Sequence, residues 1–149
     1  MGIRLKEHAE TESFDLGIAG AVTAITLPTN ILAPFALVLK GVYAFLNTAG
    51  GTQATIVDIQ KAAAGGAFAS VFSGATKINF AISSQTPTFG ALTNPLVTFN
   101  KGDMLRFVVT QVGSAPAPAD LGLAVLLQRP KYSGVSAATQ FGTVDIQAE

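Results

Sequence analysis

Residues 99–127, FNKGDMLRFVVTQVGSAPAPADLGLAVLL, constrain the fold of this 149-residue chain more than any other segment. A polar turn, Asn100-Lys101-Gly102-Asp103, opens a run in which Leu105, Phe107 and Val109 face one way and Met104, Arg106, Val108 and Thr110 the other. Gln111-Val112-Gly113 closes that run, a Ser/Ala/Pro loop follows, and Leu121, Leu123, Val125 and Leu127 resume the alternation. A period of two is the signature of a half-buried strand, whereas a helix repeats its apolar face every three to four residues. The expectation is two long antiparallel strands joined by a loop too rich in proline for a helix.

The rest of the chain follows the same pattern. Residues 16–27 form a first strand region, with Gly17 and Gly20 pointing to a bulge. In residues 35–45 the odd positions Phe35, Leu37, Leu39, Tyr43 and Phe45 share a face, and Val38 and Val42 on the other face predict cover on both sides. Thr55, Val57 and Ile59 alternate with Ile56, Asp58 and Gln60 in the next strand. The three alanines of KAAAGG, residues 61–66, are too short a run to hold a helix with two glycines behind them, so the segment reads as a hairpin connection. Residues 68–72 and 77–82 are shorter strands, the second with Ile78, Phe80 and Ile82 inward, and residues 83–94 form a loop leading to a strand at 96–99. About eight strands separated by turns predict an all-β, antiparallel β-sandwich, jelly-roll-like, spanning residues 15–129. A short N-terminal arm, residues 1–14, precedes it. A C-terminal tail, residues 130–149, follows, and Phe141, Val144 and Ile146 in it predict an added edge strand or an ordinary last strand.

Composition narrows the function classes. Nine basic and nine acidic residues cancel, which leaves no excess positive field for nucleic acid or anionic lipid. Charged residues are only 12% of the chain, against about 25% in ordinary soluble domains, while apolar residues reach 49%. Some apolar surface is therefore expected to be buried by association with copies or with another protein. The most apolar stretch, residues 31–46, is shorter than the roughly 20 residues of a membrane span and is interrupted by Pro34, Lys40 and Gly41. The first residues carry neither the apolar core of a secretory signal nor a myristoylation motif.

No chemistry-bearing motif stands out. There is no Cys, which removes thiol catalysis, thiolate metal sites and disulfides. His8 is the only imidazole and sits among Glu7, Glu10 and Glu12, a pattern typical of a solvated face rather than a metal site. No GxSxG elbow, phosphate-binding glycine loop or Asp-rich calcium loop occurs. The chain has no Trp and two Tyr, so a sugar-stacking platform is poorly provided for, and the ten Phe suit core positions better. Asp103 follows a turn glycine and is expected to bond backbone two residues on; Asp58 is expected to pair with a base such as Arg106 on a neighbouring strand. Catalytic, cofactor and metal residues are accordingly expected to be none.

Several short motifs share an order. They are Val57-Asp58-Ile59-Gln60, a Gly/Ser stretch carrying Phe68 and Phe72, Thr76-Lys77-Ile78, then Lys101-Gly102-Asp103, Gln111-Val112-Gly113 and a Leu-rich strand ending at Arg129. From Pro34 to Arg129 the chain resembles the small β-sandwich domains of tailed-bacteriophage virion proteins, which include capsid decoration, head-fibre and baseplate or tail-fibre proteins. The resemblance implies a scaffold without enzymatic activity. It implies a homotrimer on the virion capsid surface, made in the host cytoplasm and bound to the major capsid protein as a decoration or cement protein. Host recognition at a tail fibre or baseplate is the alternative it leaves. The proline-rich stretch from Ala115 to Asp120 and the residues after Arg129 depart from the family pattern.

Overall fold

A computed structural model of the chain describes residues 11–27, 30–93 and 96–130. All regular structure among them is β: ten strands, five long and five of only two or three residues. The long ones are β1 (Thr11–Ala21), β3 (Leu37–Thr48), β4 (Thr55–Ala62), β9 (Met104–Gln111) and β10 (Ala119–Gln128). The short ones are β2 (Ile31–Leu32), β5 (Ala69–Ser70), β6 (Ile78–Phe80), β7 (Thr88–Phe89) and β8 (Thr98–Phe99). About eight strands were expected; the surplus comes from two-residue pairings that carry no periodicity of their own.

The strands form two antiparallel sheets, ordered β1-β10-β3-β8 and β2-β9-β4-β6-β7, with β5 also on β4. The pairs nest within one another: β1 with β10, β2 with β9, β3 with β8, and β4 with β6. Both strands of the 99–127 segment are present with the predicted faces, Leu105, Phe107, Val109 and then Leu121, Leu123, Val125, Leu127 all buried. They are not partners, however. β9 lies in the second sheet and β10 in the first, and the proline-rich loop crosses between the sheets. Alternation marks a strand and its buried face, but it is blind to which neighbour completes the ladder.

One core lies between the sheets. From the first sheet come Leu37, Leu39, Leu46, Leu121, Leu123, Val125 and Leu127, and from the second Val57, Ile59, Ile78, Phe80, Leu105, Phe107 and Val109. Phe14, Leu16 and Ile18 pack against it from β1. β1 starts at Thr11, so the last residues of the expected arm belong to the sheet; residues 1–10, with His8, and 131–149, with the expected edge strand, lie outside the described residues.

Two bulges set the phase of the first sheet. The expected irregularity at Gly20 is a register shift between Ile18 and Ala21, with Gly20 at φ +80°, a conformation open to glycine. A second shift falls on β3: Leu127 stands opposite Leu39 and Leu126 opposite Gly41, leaving Lys40 as the extra residue. That extra residue inverts the phase of everything after it. Leu37 and Leu39 face the core as expected, but Val42, Ala44 and Leu46 face it next, and Tyr43 and Phe45 point outward, 62% and 56% exposed. Ile82, expected inward, is also exposed, because β6 ends at Phe80 and a turn closed by Ser84 N–H on Ala81 C=O swings it out.

Candidate functional site

The outward aromatics gather on the free face of the first sheet. Register aligns Gly17, Gly122 and Phe45 in one row across β1, β10 and β3, Asp15, Ala124 and Tyr43 in the next, and Ser13, Leu126 and Gly41 in a third. Large rings therefore stand on β3 opposite Gly122 and Ala124 of β10, with Gly17 and Asp15 of β1 beyond them. The result is a shallow apolar depression of about 360 Å³ lined by Asp15, Tyr43, Phe45, Gly122 and Ala124. The rings lie down on the small residues: a Cβ on Gly122 would come 2.3 Å from Phe45 Cε1, and one on Gly41 would come 3.3 Å from Tyr43 Cε2. A ring laid over a strand glycine covers backbone that has no side chain of its own. Asp15, which accepts from Ser13 Oγ at 2.9 Å, is the charged residue at the rim.

The buried charges lie elsewhere and are fully engaged. Asp58 faces away from the core on β4 but is only 3% exposed, because β5 and the segment before β6 fold over it. Its Oδ1 accepts from Ser70 Oγ at 2.6 Å and stands 3.6 Å from Lys77 Nζ, and its Oδ2 accepts from Gln60 Nε2 at 3.1 Å. The expected partner, Arg106, reaches Asp58 only through Gln60, donating from Nε to Gln60 Oε1 at 2.9 Å while its guanidinium stacks on Phe68 at 3.9 Å. Lys77 sits nearer because β6 pairs with β4 on the side where Asp58 turns, a long-range placement that strand periodicity does not carry.

Ser70, Lys77 and Asp58 have the residue types of a nucleophile and its activators, which the sequence reading missed because the three are scattered over 20 positions. Their bonding favours a structural role. Ser70 Oγ gives its proton to Asp58 and accepts from Lys77 Nζ at 2.9 Å and from Phe72 N–H at 3.1 Å, so its lone pairs are occupied by donors rather than aimed at a substrate.

Asp103 is the other buried acid, 4% exposed. It bonds backbone as expected of a turn residue, but backward: Asn100 N–H donates to its Oδ2 at 2.9 Å, and its own N–H closes the turn on Asn100 C=O at 3.0 Å. Gly102 at φ +93° completes that turn. Lys61 Nζ stands 3.2 Å from Asp103 Oδ2, also donates to Thr98 C=O, and lies 5.3 Å from the centre of the Phe99 ring. The Asn100 amide foremost, and the Lys61 charge after it, hold the Asp103 carboxyl below the usual range against the opposing effect of burial. This cluster caps one end of the core.

Among the described residues no group of three or more His, Asp or Glu is placed to hold a metal ion, and no helix is long and apolar enough to cross a membrane. Two outward aromatics, Tyr43 and Phe45, stand together around the apolar depression on the first sheet. Comparison with protein-family models, with curated proteins and with solved structures finds no match to this chain.

Proposed function

We propose that the chain is a non-enzymatic structural protein of a virion, a jelly-roll-like sandwich that decorates the outer capsid and stabilises the shell by seating the Tyr43/Phe45 face on the major capsid protein. The observation that carries this reading is the strand order. The order β1-β10-β3-β8 in one sheet and β2-β9-β4-β6-β7, with β5 on β4, in the other has nested antiparallel pairs, and such nesting supports a jelly-roll-like reading. Jelly rolls recur in viral capsid and lectin domains. A fold alone does not determine a function, and two further features support the same reading. The polar clusters at Asp58 and Asp103 are closed upon themselves, and the open surface offered to a partner is apolar.

The energetics suit a cement. Covering the exposed parts of two aromatic side chains removes about 200–300 Å² from water. At ~25 cal/mol per Å² that contributes about 5–8 kcal/mol before ordering and desolvation costs. One contact of that size is weak, but repetition over a lattice multiplies the resistance of the shell to opening.

Shells lacking this protein provide the test. Saturable binding at lattice stoichiometry and a raised shell-disruption temperature are expected, and Ala124→Lys, which sets a cation in the middle of the depression, is expected to abolish both. Binding to host cells with none to shells would replace this reading by host recognition.

A further inference from the structure

Among the described residues the first sheet ends on both sides in an open edge. β1 is 11 residues long and pairs only with β10 among the described residues. At the other side, β8 covers β3 only at Leu37 and Val38; Leu39 N–H then bonds Val97 C=O at 2.8 Å, and Leu46 N–H bonds Gln85 C=O at 2.9 Å. Between them, residues 40–45 of β3 have no strand partner on that side among the described residues. Backbone groups alternate direction along a strand, so Val42 and Ala44 present their N–H and C=O to the same edge as Leu46. An edge of this kind is a template for a further strand.

Each edge also carries half of an apolar layer. Beside residues 40–45 lies a cleft of about 270 Å³ whose lining includes Lys40, Val42, Phe72, Phe89 and Leu92, and Phe89 is 47% exposed. On β1 the inward row Phe14, Leu16 and Ile18 is only partly buried, and among the described residues no strand flanks it on the far side. The charges are complementary as well: β1 carries Asp15, whereas the cleft carries Lys40, which is in no ion pair among the described residues.

We infer that β1 of one copy docks on residues 40–45 of β3 in a second copy, extending the first sheet head to tail and seating the β1 apolar row beside Phe89 and Leu92. The contact is heterologous, so each copy uses one edge to give and the other to receive, and the assembly closes as a ring or continues as a chain. It differs from the face offered to the shell and stands whether or not a shell is the partner.

Sedimentation equilibrium of the full chain, without shells, tests it. The protein is expected to have a concentration-dependent mass above one chain. Phe89→Lys, at the cleft mouth, and Ala44→Pro, which removes an edge-facing N–H while leaving the β10 ladder in place, are each expected to weaken association by at least about tenfold. Ala124→Lys, on the outer face of the central strand, is expected to associate as the parent does. A single-chain mass at every concentration overturns the inference, as does undiminished association of Phe89→Lys. Loss of association in Ala124→Lys with retention in Phe89→Lys overturns it too, in favour of the outer face. Should Ala44→Pro unfold, judged by circular dichroism, Phe89→Lys decides alone. Failure here leaves shell binding untouched, because no shell is present in the measurement.

Discussion

Phe45 lies across Gly122 on the outer face of the first sheet, so closely that a Cβ on the glycine would come 2.3 Å from the ring edge. The ring is 56% exposed and free to swing outward. Gly122→Ala is therefore expected to displace the ring while changing stability by less than about 1 kcal/mol. Gly90 is the contrast, since a Cβ there would come 1.8 Å from Thr76 C=O, which is backbone. Gly90→Ala is expected to cost about 2–4 kcal/mol. Urea denaturation of both variants and the NMR shifts of the Phe45 ring check the pair.

Removing the Asp58 carboxylate strands Ser70, Gln60 and Lys77 together. Lys77 retains some access to water, its side chain being 20% exposed. Asp58→Ala is therefore expected to cost about 2–4 kcal/mol, toward the low end of the cost of breaking a buried pair. A double-mutant cycle with Lys77→Met measures the coupling, and a coupling near zero would show that Ser70 and Gln60 carry the cluster.

Acid should loosen the end of the core that Asp103 caps. Its folded-state carboxyl titrates below the ordinary value of about 3.9, so the native state favours the charged form. The stabilisation is complete above that ordinary value and is lost as pH falls through the lower, folded value. Thermal unfolding followed downward from about pH 5 is expected to show a steeper fall in Tm for the parent than for Asp103→Asn.

Deleting Lys40 is expected to be tolerated at a cost below about 2 kcal/mol, because it is the extra residue of the bulge and its removal keeps Leu39 and Val42 on the core side. Deleting Val42 instead inverts the phase of Tyr43, Ala44, Phe45 and Leu46 and is expected to abolish the cooperative unfolding transition. Circular dichroism melts of the two deletions distinguish them.

The core was legible wherever alternation ran without interruption. β10 follows it from Leu121 onward, β9 as far as Thr110, where a bulge interrupts it, and β4 as far as Gln60, and the hairpin of residues 61–66 was legible from its glycines, with Gly65 at φ +76° and Gly66 N–H closing on Ala63 C=O. The outward turn of Tyr43 and Phe45 was not, since a bulge leaves no mark in an apolar run where Lys40 reads simply as an outward residue. The Asp58 cluster was half legible: the acid was recognised as structural, but its partner was not Arg106. That choice depends on which strand borders β4, and the candidate interaction face inherits the same dependence, because it exists only once β1, β10 and β3 are set side by side in register.

By itself the sequence determined that this is an all-β chain, which residues of its longest strands are buried, and that its acids lack the local spacing of known catalytic or metal motifs. These are properties of neighbours a few positions apart, set by the pleat and by turn chemistry. Only the tertiary structure decided that residues 104–111 and 119–128 belong to different sheets, that Lys40 inverts β3, and that small residues on β10 lie beside aromatics on β3. Strand pairing joins residues tens of positions apart, and its register is chosen by the fit of the whole core rather than by any one segment.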